Sequence, residues 1–244
     1  MANYAIIGAA GAIGSALTSR LTDQGHNVFA GVRDLSTAAG LTESQQVKAA
    51  EIDATDWDAY APFFKGMEAE FGSIDGLAIC VGSILLKPAH LTKQADYQQV
   101  ISSNLTPCFA ALHSVARRMM KTGGSIAFCS SAAARHGYPN HEAIAAAKAG
   151  IIGLTLSAAA TYATYGIRVN CVAPGLVDSK MAQPIVQNEP SLKASQNMHA
   201  LGRIGNPKEV ASALSWLLDP EQTWVTGQVL GVDGGLATVH SKRA

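Results

Sequence analysis

The segment GYPNHEAIAAAKAG, residues 137–150, sets one lysine, Lys148, in a run of alanines that favours helix. At about 100° per residue, positions 141, 144, 145 and 148 fall on one helix face. His141 therefore shares a face with Lys148, seven positions on, with Ile144 between them. An imidazole, with an ordinary pKa near 6.5, is a residue type able to do acid–base work at neutral pH. The bland alternatives stand beside this. His141 can satisfy a carbonyl at the helix start, with Asn140 as cap, and Lys148 can snorkel from an Ala-rich helix. Tyr138 and His136, in the loop before, are weaker candidates because a loop position cannot be aimed from sequence.

A second constellation suits phosphate rather than protons. IIGAAGAIG places Gly8, Gly11 and Gly14 where a first strand turns into a first helix. Glycine there lets the backbone approach a pyrophosphate, whose charge meets the helix N-terminus. Tight strand–helix packing would also use these glycines. The second strand ends FAGVRD, with Val32 and Arg33 where an acid would otherwise hold ribose hydroxyls. A guanidinium pairs with a 2′-phosphate, so NADP(H) is expected over NAD(H), with Asp34 as a complication. Asp53, ending a third strand, either accepts from an adenine amino group or caps the helical segment starting near Asp56.

The elements that must hold these groups alternate along the chain. YAIIGA, NVFAGV, QVKAAEID, DGLAICVG, GSIAFCSS, IRVNCVAPG and QVLGVDGG read as seven strands. Helical patterns lie between them, including one long helix expected over about 94–121 and another over 141–165. Continuous Val/Ile/Ala/Cys strands alternating with helices predict an α/β fold: one doubly wound Rossmann-type domain over 1–244, its seven-stranded parallel sheet covered on both faces. Ligand is expected beyond the C-terminal strand ends.

Composition narrows the classes. The 18 basic and 18 acidic residues cancel, leaving no electrostatic footprint for nucleic acid or an anionic membrane. At 15% charged residues, much of the surface is expected to be covered by subunits or ligand. Cys80, Cys108, Cys129 and Cys171 stand singly in apolar segments with no metal-ligand spacing, so no metal is expected and reduced core thiols are. No basic stretch precedes AIIGAAGAIG and no apolar run reaches about 18 residues. A cytoplasmic protein without a membrane span is the expectation.

Taken in order, the glycine turn, EIDATD, SSNLT, GSIAFCSSAAA, AAAKAGIIGLTLSAA, GIRVNCVAPGLVDSKM, GRIGNPKEVASALSWLL and VTGQVLGVDGG resemble the short-chain dehydrogenase/reductase family across essentially the whole chain. The resemblance implies a nucleotide site drawn from Gly8, Gly11, Ile13, Gly14, Arg33, Asp53, Ala54, Gly82, Lys148, Pro174, Gly175 and Ser179. It also implies that Lys148 holds the nicotinamide ribose, Ser131 orients a carbonyl and Asn104 anchors a proton-relay water. A substrate lid would span about 176–205. Three departures stand out: Ala12 in the fifth place of the turn, Cys80 in place of an asparagine, and Ile144 where the family has its proton-donating tyrosine. His141 matches the seven-residue spacing to lysine of the enoyl reductases in that superfamily, which makes it the candidate replacement.

Two classes of function follow. One is an NADP(H)-dependent oxidoreductase that reduces a ketone or aldehyde, with Asn104, Ser131, His141 and Lys148 as its catalytic group. Reduction of an activated C=C bond is its variant. The other is a nucleotide-binding partner or redox-sensing subunit without catalysis. The apolar lid suggests a fairly apolar small molecule, and the Ala/Gly face of the 141–165 helix suggests a homodimer or homotetramer.

Overall fold

The structure, a computed structural model, describes residues 1–240. Seven short apolar runs become β1 (Asn3–Ile7), β2 (Asn27–Val32), β3 (Val47–Glu51), β4 (Gly76–Ile79), β5 (Gly124–Cys129), β6 (Ile167–Pro174) and β7 (Val229–Val232). They form one sheet, β3-β2-β1-β4-β5-β6-β7, with every pairing parallel, as the sequence predicts. The helices are α1 (Ala12–Asp23), α2 (Tyr60–Phe71), α3 (Gln94–Asn104), α4 (Thr106–Met119), α5 (Glu142–Tyr162), α6 (Gln183–Val186), α7 (Glu189–Met198) and α8 (Pro207–Leu218).

Alternation along each strand feeds two cores. In β1, Ala5 and Ile7 face a layer with Phe63, Phe64 and Met67 of α2, Leu112 and Val115 of α4 and Ile151 of α5. Tyr4 and Ile6 face the opposite layer, with Leu17 and Leu21 of α1 and Leu214 and Leu217 of α8. Each wholly buried Leu or Phe stabilises the fold by about 2 kcal/mol. Ile7 pairs with Gly31 of β2 on one side and Ile79 of β4 on the other. Strand order reverses there, which opens a crevice above the C-terminal ends of β1 and β4.

The helix expected over 94–121 is two. Pro107 has no N–H to donate to Ser103, so α3 stops at Asn104 and α4 restarts at Thr106 with the proline in its first turn. The expected 141–165 helix runs from Glu142 to Tyr162 and tightens into a 3-10 turn over Ala163–Tyr165. By length and composition, Glu142–Tyr165 is long and apolar enough to cross a membrane, which the count of apolar runs missed. Its Ile151, Ala158 and Ala159 are packed into the core beneath the sheet.

The stretch 176–205 contains ordered helix. Ser179 heads a 3-10 turn over Lys180–Ala182. Pro184 and Pro190 sit in the first turns of α6 and α7, and the Asn188 side chain caps α7 by accepting from Ser191 N at 3.0 Å.

Candidate active site

The crevice holds a cavity of about 610 Å3. Its floor begins at the turn after β1. Gly8 has φ +87, and a Cβ there would come within 2.8 Å of Val81 and 3.0 Å of the Cys80 backbone. A Cβ on Gly14 would overlap Gly8 O. These two glycines shape the turn from behind, while Gly11, Ala12 and Ile13 line the cavity at the start of α1. The first N–H groups of α1 therefore open toward it, the arrangement that receives a phosphate.

Arg33 follows the end of β2 and lines the same cavity. Asp34 turns its carboxylate onto Ser36 N at 2.8 Å and so caps a 3-10 turn; the Ser36 side chain and this N–H hold its pKa below the usual carboxylate range. Asp53 and Ala54 do not line the cavity. The Asp53 carboxylate accepts from Thr55 N at 2.9 Å and Thr55 Oγ1 at 2.7 Å, which lowers its pKa; the Arg33 guanidinium adds to that. The helical cap near Asp56 is Asp56 itself, whose side chain accepts from Asp58 N.

On the opposite wall, β5 runs into Ser130 and Ser131. Ser131 is extended and heads the 3-10 turn Ala132–Ala134, its Oγ accepting from Ala133 N at 3.2 Å. Accepting leaves its hydroxyl proton to donate into the cavity that it lines. Ser130 Oγ donates to Lys148 O at 2.8 Å and ties α5 to β5. Lys148 is 8% exposed, and its Nζ donates to Cys129 O at 2.9 Å. An ammonium has three donors, so two remain for groups in the cavity.

Asn104, wholly buried at the broken end of α3, is fully engaged. Its Nδ2 donates to Val100 O and Ser83 Oγ, each at 2.9 Å, and its Oδ1 accepts from Ser83 N at 3.2 Å. A Cβ on Gly82 would lie 2.8 Å from Asn104 Oδ1 and 3.3 Å from Lys148 Nζ. Glycine at 82 is what lets β4, α3 and α5 converge.

Asn104, Ser131 and Lys148 thus meet around one space, together with Gly11, Ile13, Arg33, Gly82, Pro174, Gly175 and Ser179. Ile144 is buried one turn before Lys148 and faces it too. His141 does not line the cavity. It is the residue before α5; its Nδ1 donates to Pro139 O at 2.8 Å and its ring packs 5.5 Å from that of Tyr138. Tyr138 donates its hydroxyl to Leu236 O. Asn140 takes φ +63 instead of capping.

Lys180 and Met181 of the stretch expected to form the lid border the cavity, and so do Ser83 and Ile84, which had no signal in the sequence. His199, 1% exposed, accepts from Leu176 N through Nε2 at 3.2 Å and donates from Nδ1 to Ser195 O at 2.6 Å, latching α7 to the end of β6.

Comparison with known proteins places the chain in a family. The family model described as enoyl-(acyl carrier protein) reductase matches residues 8–237. The chain is a short-chain dehydrogenase/reductase. This short-chain dehydrogenase/reductase is 32% identical over 237 residues to the 3-oxoacyl-(acyl-carrier-protein) reductase FabG of Vibrio harveyi, covering 96% of each protein. It is 34% identical over 241 residues to cis-4-hydroxycyclohexanecarboxylate dehydrogenase of Sinomonas cyclohexanicum, again 96% of each. Its fold matches that of ElxO with NADP bound at a TM-score of 0.92, covering 98% of this chain and 99% of that one at 24% identity. The family is one of oxidoreductases.

Proposed function

We propose that this short-chain dehydrogenase/reductase is an NADP(H)-dependent reductase of a fairly apolar ketone or aldehyde. The observation that carries the reading is the Ser131 hydroxyl and the Lys148 ammonium facing one cavity floored by a glycine turn and an unblocked helix N-terminus. The uncapped start of α1, lined by Gly11, Ala12 and Ile13, fits a pyrophosphate, and Arg33, with Asp34 turned away, suits a 2′-phosphate. A related fold, that of ElxO, carries NADP. When bound, the nicotinamide supplies the hydride.

The chain's own groups do the rest. Ser131 donates to the carbonyl oxygen and stabilises the charge that develops there. The two free donors of Lys148 hold ribose hydroxyls and a water. Ile144 has no proton to give and His141 stands off the cavity, so the alkoxide is protonated by the water that Lys148 holds. Leu176, Val177, Ile84 and Met181 make the substrate side apolar. On α5, the exposed stripe Ala146, Ala149, Gly153, Leu156 and Ala160 supports close packing against a second copy, in a homodimer or homotetramer.

NADPH oxidation against a panel of ketones, from pH 5 to 9, tests this reading. Turnover is expected without a step near pH 6.5, and Lys148→Ala should abolish it. Tight NADPH binding with no ketone turnover would point to a C=C substrate. Ile144 favours that second reading, because protonation at carbon needs no phenol. Inactivity on both substrate classes would leave a nucleotide-binding protein without catalysis.

A further inference from the structure

Two of the four cysteines belong to the cavity and two do not. Cys108 and Cys171 are buried among apolar side chains, and burial pushes their thiols up to about 12 and about 11, where they are inert. Cys80 and Cys129 both line the cavity.

Their spacing follows from the sheet. The ladder between β4 and β5 ends at the Ile79–Phe128 pair, and Cys80 and Cys129 are the next residues in that register. Neighbouring strands lie about 4.8 Å apart, inside the Cα window of roughly 4.4–6.8 Å that a disulfide accepts. Both side chains emerge on the face that packs against α1 and α8. The two thiols interact with each other. That interaction lowers the Cys129 pKa, burial opposes it, and the Lys148 ammonium assists. The same interaction and burial raise Cys80.

We infer that Cys80 and Cys129 form a dithiol modification site that a hydroperoxide closes to a disulfide, disabling the nucleotide cleft. The Cys129 thiolate attacks the outer peroxide oxygen; the O–O bond breaks and the departing oxygen leaves as water or alcohol after taking a proton. The Cys129 sulfenic acid is then attacked by the Cys80 sulfur. The S–S bond forms, the S–O bond breaks, and water leaves with the Cys80 proton. Two thiols lose two electrons and the peroxide gains them.

The cross-link acts on the cleft through two contacts already described. The Cys80 backbone packs against Gly8 of the turn, and Cys129 O receives Lys148 Nζ. Drawing the Cβ atoms to about 3.8 Å pulls on both. A bound dinucleotide would cover both thiols, so it protects them. This effect on binding rests on the NADP(H) reading above, whereas cross-linking does not.

Reduced protein treated with hydrogen peroxide, then alkylated and mapped by mass spectrometry, tests the inference. The expected result is a Cys80–Cys129 peptide pair lacking two hydrogens, reversed by dithiothreitol and slowed by NADPH. In the cross-linked form the Kd for NADPH should rise about tenfold or more. Cys80→Ser should abolish the cross-link and stop Cys129 at the sulfenic acid or beyond. Recovery of both cysteines alkylated after treatment, or a cross-linked form that binds NADPH unchanged, would overturn the inference. Reduced protein that binds no NADPH overturns the proposed function instead, and the peptide map still decides the cross-link.

Discussion

The turn between β1 and α1 and the inward face of α5 border the same cavity, and they answer to change in opposite ways. At the turn the backbone makes the site: Gly8 at φ +87 and Gly14 against Gly8 O leave no room for a side chain. On α5 side chains make it, on a helix that is indifferent to their chemistry. Ile144 occupies its place while Lys148 still reaches Cys129 O and Ser130 still ties helix to strand. A cofactor cradle written in backbone is fixed, and the chemistry beside it is exchangeable. A chain can therefore keep the first and alter the second.

The sharpest way to break this contrast is Gly14→Ala. The added methyl group overlaps Gly8 O, and a loss of about 3 kcal/mol in urea unfolding is expected, along with NADPH binding. An alanine variant of normal stability would show that the turn is not fixed. On the exchangeable side, Ser131→Ala should lower kcat about 100-fold with little change in the Kd for NADPH, as removal of one donor to a developing oxyanion does. Ile144→Tyr sharpens the comparison from the other direction. A phenol one turn before Lys148 should raise ketone turnover about tenfold in steady-state assays; a fall would mean that Ile144 shapes the substrate. Arg33→Ala should raise the Kd for NADPH about tenfold and leave that for NADH alone, read by fluorescence titration. The smallest effect belongs to His141→Ala, for which kcat should stay within about twofold, because the ring is bonded to Pro139 O and lies off the cavity.

How much of this was legible in the sequence differs between the same two regions. Seven strands and their parallel pairing follow from continuous apolar runs alternating with helices, because buried parallel strands have no polar face to disguise them. The glycine turn was legible because only steric demand explains its spacing. The break at Leu105 was also present in the sequence, in Pro107, but helical periodicity on both sides masked it. Helical spacing put His141 on the face of Lys148, yet it could not show that the helix begins one residue later and that the imidazole folds back onto its own loop. Asp53 was ambiguous for a similar reason: a carboxylate at a strand end can serve a ligand or the next two residues, and here Thr55 takes it. Ser83 and His199 left no trace, since a lone serine or histidine acquires its role only when distant segments close around it.

The imidazole of His199 occupies the place beside Gly175 where any larger residue would put its Cβ, 2.6 Å from Nε2. Positions 175 and 199 are therefore a coupled pair, and a bulkier residue at one requires a smaller one at the other. The latch also works from below, through Leu176 N and Ser195 O, and leaves Met181 at the cavity and the exposed Pro184 without a part in it. That division makes the segment a replaceable faceplate. Its cavity-lining residues can be regrafted from a relative with a different substrate while the buried histidine keeps the graft seated over the same chemistry.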